Sequence, residues 1–166
     1  MPGLEDTYHW ALMVGPRPKR NRMVEDWSIR FHAKQSLERV DPKLPIQSVW
    51  QYEEAPWAAC KHNILLARIG VAKINDAARL REVFESVPLR PDVVGWNCVS
   101  WVKEALAAAD MDDRALGDRV LSWEKVRNVA MHYVATKTGC GRYEVSGPLS
   151  NYTPTWDILV DKEVTA

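Results

Sequence analysis

Cysteine is scarce in this sequence, which contains three cysteines in 166 residues. Cys60, Cys98 and Cys140 are widely spaced, and an odd number of thiols cannot all be paired within one chain. The sequence therefore excludes a disulfide framework as the basis of the fold. We expect free thiols and a reducing compartment, with the cytoplasm as the predicted location.

Net charge is absent as well, because 22 lysines and arginines balance 22 aspartates and glutamates. A neutral chain gives no general electrostatic reason to bind nucleic acid or an anionic membrane, so neither is expected as a partner. The one local excess lies in "PRPKRNR", whose basic residues are Arg17, Lys19, Arg20 and Arg22. This segment is interpreted as a solvated loop, with an anion or phosphate contact as the alternative.

Long hydrophobic runs are also missing. No window of the sequence approaches the roughly 20 apolar residues of a membrane-spanning helix. The first ten residues contain no basic segment followed by an apolar one, so we expect neither a signal peptide nor a membrane anchor.

Tryptophan, by contrast, is abundant, with eight residues. So many large flat side chains predict either an aromatic core or an aromatic binding cleft. The overall composition, 46% hydrophobic and 27% charged, is typical of a globular protein. The length suits a single domain spanning residues 1–166.

Hydrophobic periodicity divides the chain into an early strand-rich part and a later helical part. Strands are predicted at residues 7–14, 27–34, 48–54 and 63–74, and the second of these alternates cleanly between apolar and polar residues. Helices are predicted at residues 76–87, 97–109 and 122–139. The remaining tail, residues 140–166, is expected to wrap the domain or add an edge strand. This order predicts an α+β fold with a small antiparallel sheet packed against helices.

The start of the second predicted helix, "WNCVSWVKEAL", carries a candidate nucleophile. Asn97 is a good N-cap, which makes Cys98 the first helical residue. The unpaired amides and the positive end of the helix dipole favour a thiolate there, and the same amides can stabilise an oxyanion. The alternative is that Cys98 is simply a small buried hydrophobic residue.

Two histidines in the first two predicted strands are candidates for the proton acceptor that a thiol nucleophile needs. His9 shares a strand face with Ala11 and Met13, where it is either a general base or a core histidine whose hydrogen bonds are satisfied. If Val14 and Trp27 close the hairpin, His9 lies directly opposite His32. His32 would then orient His9, whereas an isolated His32 on a polar face would be exposed.

The remaining cysteines and histidines have weaker patterns. Cys60 and His62 can share a strand face, but two ligands do not make a zinc site. His132 lies at the edge of the apolar stripe of the last helix, and Cys140 is interpreted as a turn thiol. We expect no metal and no cofactor.

Three short segments, "YHWALMVG", "FHAKQ" and "NCVSWV", resemble in type and order the circularly permuted branch of the NlpC-type papain-like superfamily, which includes the lecithin:retinol acyltransferases. The resemblance implies a permuted papain-like fold, with Cys98 as nucleophile, His9 as general base and His32 as the residue that orients His9. It also implies that the main-chain amide of Cys98 contributes to the oxyanion hole.

The sequence departs from that branch in three ways. Val99 and Ser100 stand where Glu-His or Ser-Gly often follows the cysteine, the loop between the histidine strands is longer and more basic, and we expect no terminal membrane anchor. These departures favour a soluble peptide, amide or carrier-bound thioester over a phospholipid as the acyl donor.

The predicted function is a cysteine-dependent acyl hydrolase or acyltransferase that acts through a thioester on Cys98. Residues near the predicted catalytic groups in the sequence are assigned to substrate binding: Tyr8, Trp10, Trp96, Asn97 and Trp101. Two alternatives remain open. One is a non-catalytic module that binds a small molecule or a partner, and the other is a biosynthetic cyclase or condensing enzyme that uses His9 as a base on a carbon acid.

Overall fold

The computed structural model describes residues 5–16, 28–39, 43, 45–57, 65–144 and 153–165. These residues form eight β-strands, three α-helices and one short 3-10 helix, Glu5–Thr7. The predicted α+β class is confirmed. The strands form small sheets, and these sheets and the helices pack around a shared hydrophobic core.

The first sheet contains β1 (Leu12–Val14), β2 (Ile29–Glu38) and β3 (Gln47–Pro56), antiparallel and in that spatial order. Successive strand residues point to opposite faces, so Phe31 and Ala33 pack into the core while His32 lies on the other face. His32 therefore lies on the face of the sheet opposite to the one that carries Phe31 and Ala33.

Three helices supply most of the remaining core: α1 (Ala77–Glu85), α2 (Cys98–Asp110) and α3 (Trp123–Gly139). The side chain of Asp76 caps α1 by accepting a hydrogen bond from the Arg79 amide at 2.9 Å. Ser122 precedes α3, but its side chain makes no capping hydrogen bond. Helix α2 is the most deeply buried of the three, and its Trp101 is 0% exposed.

Short strands complete the structure: β4 (Arg68–Gly70), β5 (Ala72–Ile74), β6 (Leu116–Arg119), β7 (Thr155–Asp157) and β8 (Lys162–Thr165). Strand β4 pairs in parallel with β7, which pairs antiparallel with β8, while β5 pairs antiparallel with β6. The single strand predicted at residues 63–74 is therefore wrong in its described part, because the chain divides there between two sheets. The C-terminal residues add two strands.

The predicted start of the first strand and its register are also wrong. Backbone pairing with β2 begins only at Leu12, and Val14 lies opposite Ile29. Trp27, the partner assumed from the sequence, lies outside the described residues. The shift is two residues, and since side chains alternate with a period of two, it leaves each strand residue on its predicted face.

Gly15 allows β1 and β2 to approach each other closely in this register. A β-carbon at Gly15 would lie 2.3 Å from the Oγ atom of Ser28 and 3.1 Å from its α-carbon. Only a residue without a side chain lets the end of β1 approach the buried Ser28 so closely.

We predict that Gly15→Ala lowers the free energy of unfolding by about 1–3 kcal/mol, because the added methyl group overpacks the contact with Ser28. Urea denaturation followed by circular dichroism measures the change. Gly139→Ala is the matched control, since a β-carbon there meets nothing within 4 Å. Equal unfolding midpoints for the two variants would contradict the role assigned to Gly15.

Candidate functional site

The N-terminus of α2 leaves the amide of Cys98 available. The Oδ1 atom of Asn97 accepts hydrogen bonds from the Val99 amide at 2.9 Å and the Ser100 amide at 3.2 Å. The Trp101 amide donates to the Asn97 carbonyl oxygen at 3.1 Å. Within the described part of the chain, the Cys98 amide is the member of this first turn without a hydrogen-bond partner. Cys98 therefore carries both the thiol and the amide N–H that is left without a partner.

The thiol of Cys98 lies beside the N-terminal segment. Cys98 is 9% exposed, and its Sγ atom is 4.0 Å from the carbonyl oxygen of Tyr8, a weak hydrogen-bond contact. Because Tyr8 directly precedes His9, the structure brings the main chain next to His9 against the start of α2.

Three polar contacts fix the N-terminal segment in this position. Asp6 accepts a hydrogen bond from the Nδ2 atom of Asn97 at 2.9 Å, so Asn97 both caps α2 and binds the segment. The Glu5 carboxylate forms an ion pair of 3.0 Å with Arg127 on α3, and both side chains are largely buried. The indole of Trp10 donates to the Glu5 carbonyl oxygen at 2.9 Å. These contacts curl the segment before β1, which is why His9 lies outside the paired strand.

His9 and His32 are in direct contact. The Nε2 atom of His9 is 2.6 Å from the Nδ1 atom of His32, and the two rings pack edge to face with centroids 4.8 Å apart. His32 is 3% exposed, whereas His9 is exposed. The predicted pairing of the two imidazoles is therefore present, although their backbones are not directly opposite each other.

Glu53 is a third polar partner that was not predicted from the sequence. It lies directly opposite His32 in the β2–β3 register, and its Oε2 atom is 2.8 Å from the Nε2 atom of His32. Arg30 donates to the same oxygen at 2.9 Å, and Lys34 donates to the other oxygen. Glu53 fell within a predicted strand, but finding the contact requires the register between two strands joined by a long connection. The sequence pattern does not give that register.

The electrostatics of this cluster favour neutral histidines and an ionised glutamate. Although His9 as a whole residue is exposed, its imidazole packs against His32, and the resulting desolvation lowers its pKa; the neighbouring charges of His32 and Arg30 lower it further. Burial also lowers the pKa of His32, although the hydrogen bond to Glu53 opposes the shift. Hydrogen bonds from His32 and Lys34 lower the pKa of Glu53 to about 2. At neutral pH the cluster therefore holds two uncharged imidazoles beside a carboxylate.

The predicted substrate-contacting tryptophans are placed at different depths. Trp101 is fully buried between Tyr52 and Phe84, and Trp96 packs against Trp50 at 5.2 Å. Trp10 is only partly buried and contacts Trp123 at 5.2 Å. Trp96 and Trp101 thus support the start of α2 from the core, and substrate contact by any of the three stays a prediction.

A cavity of about 1540 Å³ is lined in part by His9, whereas His32 and Cys98 are not among its lining residues. Its lining includes Tyr8, His9 and Trp10, together with apolar side chains such as Val102, Leu106 and Ala130. The arrangement leaves room for a ligand with an apolar portion next to the imidazole of His9.

The other candidate residues do not join the site within the described structure. His132 and Cys140 are exposed on α3 and immediately after it. Cys60, His62 and the basic residues 17–22 lie outside the described residues. Among the residues that are described, no group of three or more His, Cys, Asp or Glu side chains is arranged to hold a metal ion.

No helix in the described ranges has the length and apolar character needed to cross a membrane.

Comparison with known proteins gives a family but no activity. No curated protein matches the chain, and no solved structure matches it. The model of a family of unknown function, DUF6914, matches residues 1–165. Because this match covers nearly the whole sequence, the chain belongs to the DUF6914 family.

Proposed function

We propose that this protein is a thiol acyl hydrolase or acyltransferase that carries its acyl group as a thioester on Cys98. We further propose a circularly permuted papain-like architecture of the NlpC type. The observation that supports the proposal is the contact between the N-terminus of α2 and the segment that carries His9. The thiol stands at the one uncapped amide of the described α2 N-terminus, and it touches the main chain next to a histidine held by a second histidine.

In the proposed first step, His9 removes the proton from the Cys98 thiol, and the sulfur attacks the carbonyl carbon of the substrate. The carbonyl electrons move to oxygen, and the free Cys98 amide donates a hydrogen bond to that oxyanion. When the tetrahedral intermediate collapses, the bond to the leaving group breaks. His9 returns its proton to the leaving group, and the acyl group remains on sulfur.

In the second step, water or another nucleophile approaches the thioester, and His9 accepts its proton. Attack forms a second oxyanion beside the Cys98 amide, and its collapse releases the acyl product and the thiolate, which regains the proton from His9. The choice between hydrolysis and transfer depends on whether water or a different nucleophile occupies the acceptor position. His32 orients His9 in both steps.

The proposed substrate is a soluble peptide, amide or thioester with an apolar portion on the acyl side. The cavity lined by Tyr8, His9 and Trp10 supports this choice because most of its other lining residues are apolar. No metal or cofactor enters the proposed reaction, and a cytoplasmic location is part of the proposal.

A second candidate function is a binding module without catalysis. It is favoured by one observation, the contact of the Cys98 thiol with the Tyr8 carbonyl oxygen, in which the thiol donates to the main chain. In that case the cavity would hold an apolar ligand without forming a covalent bond to it.

We predict that an activated acyl donor labels Cys98 and that Cys98→Ala abolishes the labelling. p-Nitrophenyl acetate is the probe, and intact mass spectrometry with peptide mapping measures the acetyl group on each cysteine. Cys140→Ala is the control, because Cys140 is exposed and outside the site. Labelling of Cys98→Ala to the same extent as the parent protein would exclude the thioester mechanism, whereas ligand binding without any labelling would favour the binding module.

We also predict the pH dependence of this acylation. His9 must be neutral to accept a proton, so the rate falls as the pH drops through its pKa. Because desolvation of its imidazole and neighbouring charges lower that pKa from 6.5, the rate should lose half its value at a pH below 6.5. His9→Ala should lower the rate at pH 7 by roughly a hundredfold or more and remove this acid limb. An unchanged acid limb in His9→Ala would assign the titration to another group.

A further inference from the structure

A carboxylate, that of Glu53, lies on the opposite side of the His32 ring from His9. Glu53 accepts hydrogen bonds from three cationic or imidazole groups: His32 at 2.8 Å, Arg30 at 2.9 Å, and Lys34. The next residue, Glu54, points to the opposite face of β3 and pairs with Arg81 at 2.6 Å. Because side chains alternate along the strand, Glu53 faces the histidines and the adjacent Glu54 does not.

The surroundings of Glu53 keep it ionised throughout the pH range in which a thiol enzyme works. Its pKa is lowered to about 2, chiefly by the hydrogen bonds from His32 and Lys34. An ionised carboxylate has no proton to donate and only accepts hydrogen bonds. The nitrogen that faces it must therefore carry a hydrogen.

The position of the hydrogen on His32 in turn determines which nitrogen of His9 carries a hydrogen. The Nε2 atom of His32 donates to Glu53, so in neutral His32 the Nδ1 atom has no hydrogen and acts as an acceptor. The Nε2 atom of His9 lies 2.6 Å from that Nδ1 atom and must therefore donate to it. In neutral His9 the unprotonated nitrogen is then Nδ1, which is not engaged by His32.

We propose that Glu53 is a positioning residue, which fixes the tautomers of His32 and His9 so that the Nδ1 atom of His9 accepts the thiol proton. This role depends on the proposed thiol chemistry of Cys98. Glu53 touches neither the thiol nor the substrate in this scheme, and it acts only through the two imidazoles.

The same carboxylate balances charge when His9 becomes protonated. His9 then has hydrogens on both nitrogens and keeps donating through Nε2 to His32, so no other proton has to move. Arg30 and Lys34 are the cations next to the pair, and both oppose a further positive charge. Without the Glu53 carboxylate, these two cations would face a protonated His9 with no anion in the cluster to offset them.

Nuclear magnetic resonance of the full-length protein with ¹⁵N-labelled histidine tests the tautomers directly. Long-range ¹H–¹⁵N correlations distinguish a protonated from an unprotonated ring nitrogen, and single His→Gln variants assign the signals. We expect hydrogens on Nε2 of both His9 and His32 in the parent protein. In Glu53→Gln the amide can donate as well as accept, so the signals of both rings should shift towards a mixture of tautomers. Glu54→Gln is the matched control and should leave them unchanged.

A kinetic measurement separates positioning from a purely structural role. The rate of acetylation of Cys98 by p-nitrophenyl acetate should fall at least about tenfold in Glu53→Gln, since a misoriented base loses part of the usual general-base contribution. Glu53→Asp keeps a group that only accepts, so it should retain the parent tautomers and recover part of the rate. Glu54→Gln should react like the parent protein.

The outcomes distinguish this inference from the proposed function. A hydrogen on Nδ1 of His9 in the parent protein would overturn the role of Glu53, and this result needs no variant to fold. Parent-like tautomers and rates in Glu53→Gln would overturn it as well, even if Cys98 is acetylated normally. The expected tautomers with no acetylation of Cys98 would instead refute the thiol chemistry, and the positioning role would fall with it.

Discussion

The contact between the rings of His9 and His32 is the interaction on which the site depends. It joins a segment that precedes the first strand to a buried position in the middle of β2, and it does so on the face of the sheet away from the core. An imidazole can hold a defined orientation at an exposed position only if one of its nitrogens is engaged. His32 provides that partner, and its own second nitrogen is held by Glu53. Glu53 on β3 therefore holds His32 on β2, and His32 in turn holds His9 outside the paired strands.

Several features of this site follow from local sequence and could be predicted. Asn97 before Cys98 gives a capped helix start, because the short amide side chain reaches the amides two and three residues ahead. The alternation around His32 assigns it to one strand face, and the helical spacing of apolar residues locates all three helices. In each case the interacting groups are near neighbours along the chain.

The features that could not be predicted all join distant residues. The start of β1 is displaced because Glu5 binds Arg127 and Asp6 binds Asn97, contacts that no local pattern contains. The close approach of Gly15 to Ser28 and the contact of Glu53 with His32 both depend on which residues of neighbouring strands lie opposite each other. The strand propensity of residues 7–14 predicts one strand over the whole segment, but hydrogen bonds to distant residues keep its first part out of the sheet.

The contacts that hold the N-terminal segment also set when the site can form. Cys98 meets Tyr8 across 90 positions of the chain, Asn97 meets Asp6 across 91, and Arg127 meets Glu5 across 122. Closing such long loops costs entropy before any contact repays it. On the ribosome, both imidazoles emerge well before the thiol, and the arginine that anchors the segment emerges later still. During synthesis both histidines are therefore present for a long interval before Cys98, and the contacts that hold the N-terminal segment are complete only once Arg127 of α3 is available.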